Sequence, residues 1–408
     1  MFCCSEGTSR PKPSAPQGKK SFVHSESIFD DYTFGETLGH GAFGEVKRCR
    51  STQGGPERAV KILDLANPAV QAQSEVLAVK NEVDILKHLS HSNIVKFIDL
   101  YEDDRFLYII MELVRGGELM DALCMPGAQV MESDVAELAR MLMQALTYLH
   151  SEGIVHRDIK AQNLLLTKPP QSGRVLMRET IKLIDFGMAA KLPYGRDPGF
   201  DNMCGSAAYR APEVFATATD APAEWKQNFG TEYGTKADIW AAGVVFYLTL
   251  TGALPYRGAD SRAVADQVCN IEQQVNLRPG GQELGDPCAK FLLKCFTKQP
   301  NRRYTAREAL ADTYIVTRGM AGGKASTTAV PKEKLQKAKA EAGSAMKLDP
   351  RYLMSKASEK MKSLREKAFN KQKTRALEDT DDEDYLSEEE YDEHTDSREQ
   401  DDGICSVQ

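Results

Sequence analysis

A chain of 408 residues has room for one large or two medium domains with tails, and 41% hydrophobic with 27% charged residues is ordinary globular composition. The net charge of −7 argues against a general nucleic-acid binder. Nine cysteines, scattered from position 3 to position 405, show neither disulfide-scaffold density nor paired metal-ligand spacing, so reduced thiols and a cytoplasmic location are expected. The N-terminal stretch has no apolar core of signal-peptide length, and the longest apolar run, near "WAAGVVFYLTLTG", is too short to span a bilayer. The expected protein is neither secreted nor transmembrane.

Residues 1–28, rich in Ser, Pro, Gly and Lys, have the composition of a flexible arm, with order expected to begin near Tyr32. Strands are predicted over "YTFGETLGHGAFGEVKRCR" and "ERAVKILDL". A helix is predicted over "SEVLAVKNEVDILKHL", with Val76, Val79, Val83 and Leu86 on one face. Two further strands fit "IVKFIDLYED" and "RFLYIIMELV". After Gly117 the pattern turns helical, notably "ESDVAELARMLMQALTYLH" and "ADIWAAGVVFYLTLTG". The expected architecture is α+β: a small β-rich lobe, then a larger helical one over 32–316, with a cleft between them where ligands commonly bind. Residues 317–377 form a basic, partly helical extension, and 378–408 an acidic tail expected to be disordered.

The glycines Gly39, Gly41 and Gly44 of "LGHGAFGEV" are shared with dinucleotide-binding folds, where they open a helix. Here a second strand-like run follows, so a hairpin is predicted, its glycines letting backbone approach phosphates and Lys61 of "AVK" offering them positive charge. Such a lysine needs an anionic partner; Glu82 is preferred to Glu75 because its neighbours Val83 and Leu86 pack inward. In "IVHRDIKAQN", Asp158 is a candidate to accept a hydroxyl proton, Lys160 to neutralise charge on a moving phosphoryl group, and Asn163 to hold magnesium. Asp185 of "LIDFGMA" supplies a second hard oxygen ligand.

Taken in order, "GHGAFGEV", "AVK", "HRDIKAQN", "DFG" and "APE" resemble the protein kinase family over about two-thirds of the chain. Lys160 and "GSAAYRAPE" resemble its serine/threonine form, and the body resembles the calcium/calmodulin-dependent group. The resemblance implies the bilobal kinase fold and transfer of the ATP γ-phosphoryl group to Ser or Thr hydroxyls with Mg2+. It implies nucleotide contacts from Leu38, Gly39, Gly41, Gly44, Val46, Ala59 and Lys61 with Glu82 behind it, from the backbone of Glu112 and Val114 after the gatekeeper Met111, and from Glu118 at the ribose. Asp238 corresponds to the acid that anchors the catalytic loop, and Arg303 to the partner of Glu213. Leu86, Phe97, His156 and Phe186 correspond to a stacked column, which makes His156 a packing residue. The alternative is a pseudokinase scaffold that binds nucleotide or partners without transfer.

Departures from the family pattern are as informative. Gln162 stands where many kinases that favour basic substrates carry Glu, and the usual activation-loop phosphosite holds Asp201 and Asn202. Asp201 is therefore expected to give Arg157 a permanent, weaker charge in place of a phosphate, so that activity is expected not to depend on phosphorylation at that position. Two long spacings, "TKPPQSGRVLMRET" and "ATATDAPAEWKQNFGTEYGTK", read as surface insertions. The basic stretch 351–373 offers four readings: a calmodulin target, a membrane-surface helix, an intramolecular inhibitory segment, or a solvated helix paired with the acidic tail. The ending "CSVQ" fits prenylation at Cys405, with Cys3 and Cys4 as candidate palmitoylation sites, so membrane association by lipidation is a further expectation.

Overall fold

The computed structural model describes residues 23–24, 27–41, 44–65, 81–170, 181–278, 284–318, 327–329 and 336–340. Glu75, Val76, Val79, most of the first insertion, the basic stretch 351–373, the acidic tail and Cys3, Cys4 and Cys405 lie outside those residues.

The first lobe is a six-stranded sheet in the order β1-β5-β6-β4-β3-β2, built from β1 (Val23–His24), β2 (Tyr32–Gly41), β3 (Gly44–Ser51), β4 (Arg58–Asp64), β5 (Phe97–Glu102) and β6 (Phe106–Glu112). The four strand stretches predicted before Gly117 become β2 to β6, the first of them forming both β2 and β3. Because side chains alternate across a strand, β4 divides its residues between two faces. Val60 and Ile62 join Tyr32, Tyr101, Tyr108 and Ile110 in an outer cluster, while Leu63 packs with Leu107 and Ile109 toward the second lobe. Lys61 falls on that second face, directed at the cleft.

Order begins earlier than Tyr32. β1 pairs in parallel with Leu100 and Tyr101, and helix α1 (Ile28–Asp31) buries Ile28 while Asp31 accepts a 2.7 Å hydrogen bond from the Tyr101 hydroxyl. A pair of residues joining a sheet edge carries no periodicity, so composition alone assigned this stretch to the arm.

Helix α2 (81–86) is the described part of the predicted "SEVLAVKNEVDILKHL" helix and brings Val83 and Leu86 into the core. The second lobe then contains α3 (Leu119–Leu123), the short strand β7 (Gln129–Met131) and α4 (Glu132–Ser151). α4 begins where the Asp134 carboxylate accepts the Met131 amide at 3.1 Å, and buries Val135, Leu138, Leu142 and Leu149. It packs on α7 (Lys236–Thr251), a helix apolar on all sides and buried along nearly its whole length, which ends at Gly252 in the left-handed conformation that glycine tolerates. No helix among the described residues is long and apolar enough to cross a membrane.

Around this pair lie α5 (Pro212–Ala216), α6 (Ala223–Phe229), α8 (Ser261–Cys269), α9 (Asp286–Cys295), α10 (Ala306–Leu310) and α11 (Thr313–Val316). Short pairs, β8 (Ile154–Val155) with β11 (Ala190–Lys191) and β9 (Leu164–Leu166) with β10 (Ile181–Leu183), fix the two loops between them on the cleft side. The expected helical lobe does not stop at 316. Strand β12 (Thr327–Ala329) pairs antiparallel with β7, and in helix α12 (336–340) Ala338 is buried.

Candidate active site

The glycine-rich segment forms the predicted hairpin: Gly39 lies opposite Val46, and Gly41 opposite Gly44. A Cβ added at Gly44 would fall 1.8 Å from the carbonyl oxygen of Ile62, so only glycine fits between β3 and β4 there. Ala59 is buried opposite Met111 and Val46 is paired with Lys61, which puts these four on one face of the sheet, while Leu38, exposed on β2, sits at a register shift.

Lys61 Nζ donates to Glu82 Oε1 at 2.7 Å and Oε2 at 3.0 Å and stands 3.7 Å from Asp185 Oδ1. Burial opposes its charge, but the Glu82 and Asp185 carboxylates outweigh burial and raise the Lys61 pKa above the ordinary lysine value. Burial likewise pushes the Asp185 carboxyl upward, and the positive charges of Lys61 and Lys160 more than reverse it, keeping Asp185 ionised below the usual carboxylate range.

The second loop centres on Asp158. Lys160 Nζ donates to its Oδ2 at 2.6 Å; Ser206 donates to its Oδ1 through the hydroxyl at 2.9 Å and through the amide at 3.1 Å. Asn163 Nδ2 donates to the Asp158 carbonyl at 2.9 Å and its carboxylate at 3.3 Å. Asp158, Lys160, Asn163 and Ser206 are all buried. Arg157 and Asp185 both hold left-handed backbone, φ 66 and 61, a conformation that non-glycine residues keep only when surroundings enforce it. Asp238 does so for the first: its carboxylate accepts the amides of His156 and Arg157 at 2.9 Å each, and His150 Nε2 lies 2.9 Å away. Burial works against the Asp238 charge, but His150 and those amides hold its pKa low.

Behind the site, the His156 and Phe186 rings meet edge to face at 4.9 Å, and Leu86 and Phe97 belong to the same buried core. Burial depresses the His156 pKa, as fits an imidazole used for packing. At the strand end, Glu112 is tied down by Lys182 at 2.6 Å and by the Lys96 amide at 2.8 Å. Among the described residues no hydrogen bond engages the backbone of half-buried Val114. Glu118 caps α3; burial and then the Asp121 charge raise its pKa.

The sequence assigned no role to Ser206 or His150. Both act through contacts spanning dozens of residues, and only the position of Ser206 just after "CG" hinted at involvement. At Arg157, where the Asp201 charge is expected, other groups lie in contact. Arg157 donates to Asn202 Oδ1 at 3.4 Å and to the Met188 carbonyl at 2.7 Å and lies 4.6 Å above the Phe200 ring, whereas Asp201 is exposed. A neighbouring aromatic face and amide can also hold a loop arginine, and sequence position cannot rank them against a carboxylate.

Residues 32–315 match the protein kinase domain family. The chain is 33% identical over 290 residues to serine/threonine-protein kinase PEPKR2 of Arabidopsis thaliana, covering 71% of this chain and 54% of that protein. It is 32% identical over 314 residues to serine/threonine-protein kinase DCLK3 of Homo sapiens, covering 76% and 44%. It is 30% identical over 290 residues to calcium/calmodulin-dependent protein kinase type 1 of Macrobrachium nipponense, covering 71% and 76%. The chain thus spans about half the length of the first two relatives. With the motifs in family order and the bilobal architecture around them, the chain belongs to the protein kinase family, resembling its calcium/calmodulin-dependent serine/threonine group.

Proposed function

We propose that this protein transfers the terminal phosphoryl group of ATP to serine and threonine hydroxyls of proteins, with magnesium. The observation that carries the reading is the simultaneous closure of two ion-paired sets: Lys61 with Glu82 beside Asp185, and Asp158 with Lys160 and Ser206.

The donor set suits the absent groups. Asn163 commits its amide nitrogen to Asp158, which leaves its carbonyl oxygen for a cation, and ionised Asp185 supplies a second hard oxygen. Among the described residues no cluster of three or more His, Cys, Asp or Glu forms a metal cage, so a magnesium ion here would complete its shell with phosphate and water oxygens. The unengaged Val114 backbone fits the hydrogen-bonding edge of adenine. Bound ATP and magnesium would supply the phosphoryl group and the divalent charge that offsets its negative oxygens. Lys61 holds phosphate oxygens, its position fixed by Glu82. Asp158 would orient the acceptor hydroxyl and take its proton, and Lys160 would balance charge as the new O–P bond forms and the bond from the terminal phosphorus to the departing ADP breaks.

Purified protein is expected to phosphorylate a generic acceptor with phosphoserine and phosphothreonine as products, and Asp158→Asn is expected to abolish transfer while leaving nucleotide binding. Magnesium-dependent ATP binding without transfer in the unaltered protein would replace this reading with that of a nucleotide-binding scaffold.

The proposal extends to calmodulin as a partner: a relative carries calcium/calmodulin dependence in its name, and 351–373 offers lysines and arginines interleaved with Leu353, Met354, Met361, Leu364 and Phe369. Calcium-dependent retention on immobilised calmodulin, lost in a chain ending at 341, checks it. It extends also to a cytoplasmic location with a prenyl anchor at Cys405, which the intact mass of protein from eukaryotic cells would reveal.

A further inference from the structure

Between Asp185 and Gly205 the chain has no serine or threonine; its only hydroxyl is Tyr194, whose residue is 99% exposed. The next hydroxyl, Ser206, is buried and spent on Asp158. Yet the segment is tied down at every step. Phe200 and Tyr233 exchange backbone hydrogen bonds of 3.0 and 2.7 Å, and the Gly199 amide also donates to the Tyr233 carbonyl at 3.1 Å. The Asp197 carboxylate accepts the Thr235 amide at 3.1 Å and the Thr235 hydroxyl. A Cβ at Gly234 would lie 1.8 Å from Asp197 Oδ1, so the glycine makes room for that carboxylate. The Tyr233 hydroxyl lies 2.9 Å from Cys204 Sγ, and Arg210 Nε donates to the Cys204 and Gly205 carbonyls at 3.0 and 2.9 Å. Phe200, Cys204 and Tyr233 are buried.

We infer that the end of the second insertion, residues 232–235, holds activation-segment residues 196–204 in their working arrangement, with Arg157 seated on the Phe200 ring where a phosphate would otherwise be, so that transfer requires no phosphate on this segment. The inference rests on the kinase reading above. It differs from a permanent charge at Asp201: the ordering comes from backbone pairing and from Asp197 and Tyr233 as positioning residues. The line of contact runs from Tyr233 through Cys204 and Gly205 to Ser206, which donates both bonds to Asp158. A loosened segment therefore reaches the proton acceptor directly.

The test uses the full chain, phosphatase-treated and shown by mass spectrometry to carry no phosphate between 185 and 213. Hydrogen exchange in peptides covering 196–204 and 230–236 is expected to be equally slow before and after treatment, and transfer to a generic acceptor to stay within about twofold. Tyr194→Phe should behave the same. Asp197→Ala, at an exposed position, is expected to speed exchange in 196–204 about tenfold and to lower kcat about fivefold or more with little change in the KM for ATP. Asp197→Asn, which keeps an acceptor oxygen, should recover most of both. Fast exchange in the dephosphorylated protein that slows on phosphorylation of Tyr194 would overturn the inference, as would an Asp197→Ala protein with unaltered exchange. Slow exchange with no transfer in either form would uphold the ordering and remove the kinase reading instead.

Discussion

Lys61 stands between two carboxylates, and its loss leaves a buried Glu82 without its cation. Lys61→Met is expected to cut phosphoryl transfer about a hundredfold or more, since one preorganised electrostatic contact at a reacting group typically carries that much. Lys47→Met, on the neighbouring strand and paired among the described residues with half-exposed Glu45, should keep transfer within about twofold; initial rates of the two proteins side by side check the contrast. His156 makes a different kind of prediction. Its folded pKa lies below the ordinary 6.5 because of burial, so below about pH 6.5 the unfolded chain binds a proton that the folded chain refuses. Stability should therefore fall as pH drops from about 6.5 toward the folded value. His156→Phe keeps the ring against Phe186 and gives up a 3.3 Å contact with the Ile184 carbonyl and the 3.3 Å hydrogen bond that its Nδ1 accepts from the Asp158 amide. It should flatten that part of the Tm-against-pH curve. The Asp238 contribution, with its lowered pKa, goes only at more acid pH, as the carboxylate is finally protonated.

Among elements, α5 and the start of α7 are linked through one buried arginine, Arg303, ion-paired with Glu213. Arg303 Nη2 donates to Glu213 Oε2 at 2.8 Å, its Nη1 and Nε reach the Lys236 and Thr297 carbonyls at 2.8 Å, and its guanidinium lies 5.1 Å from the Trp240 ring. Both partners are essentially inaccessible. Arg303→Ala should destabilise the protein by about 3–5 kcal/mol in denaturant unfolding, because it strands a buried carboxylate. Arg140→Ala, which breaks a partly exposed pair with Glu137 on α4, should cost under about 1 kcal/mol. How much of this was readable beforehand follows from the physics of each contact. The strands β2 to β6 and the helices α4 and α7 carry period-2, period-3.6 or wholly apolar patterns, and Glu82 could be chosen because inward Val83 and Leu86 orient its turn of helix. The Lys61, Asp158, Asn163 and Asp185 cluster was legible through motif order. What escaped, namely Arg157 on Phe200, Ser206 on Asp158 and β1 beside β5, consists of irregular loops and sheet-edge pairs whose partners lie far off in sequence.

At the scale of the whole chain, the family match ends at 315, yet the chain continues onto the second lobe. β12 pairs with β7 in register Thr327 to Met131, and α12 buries Ala338 and sets Lys339 against Asp121. Asp121 neighbours Glu118, whose pKa is raised by burial and by that negative charge and eased by Lys339 and Lys160. The extension thus supports α3 from outside, and Lys339 offsets a like-charge pair at the position expected to meet a ribose. Two truncations separate support from inhibition. A chain ending at 340 keeps these contacts and should match the full chain in Tm. A chain ending at 318 exposes β7 and leaves Glu118 and Asp121 to repel each other. It should melt about 2–4 °C lower and show a raised KM for ATP at nearly unchanged kcat. An inhibitory strap would give the opposite sign, a higher rate on removal of 319–340, so Tm and steady-state kinetics on the two chains decide between a brace and a brake.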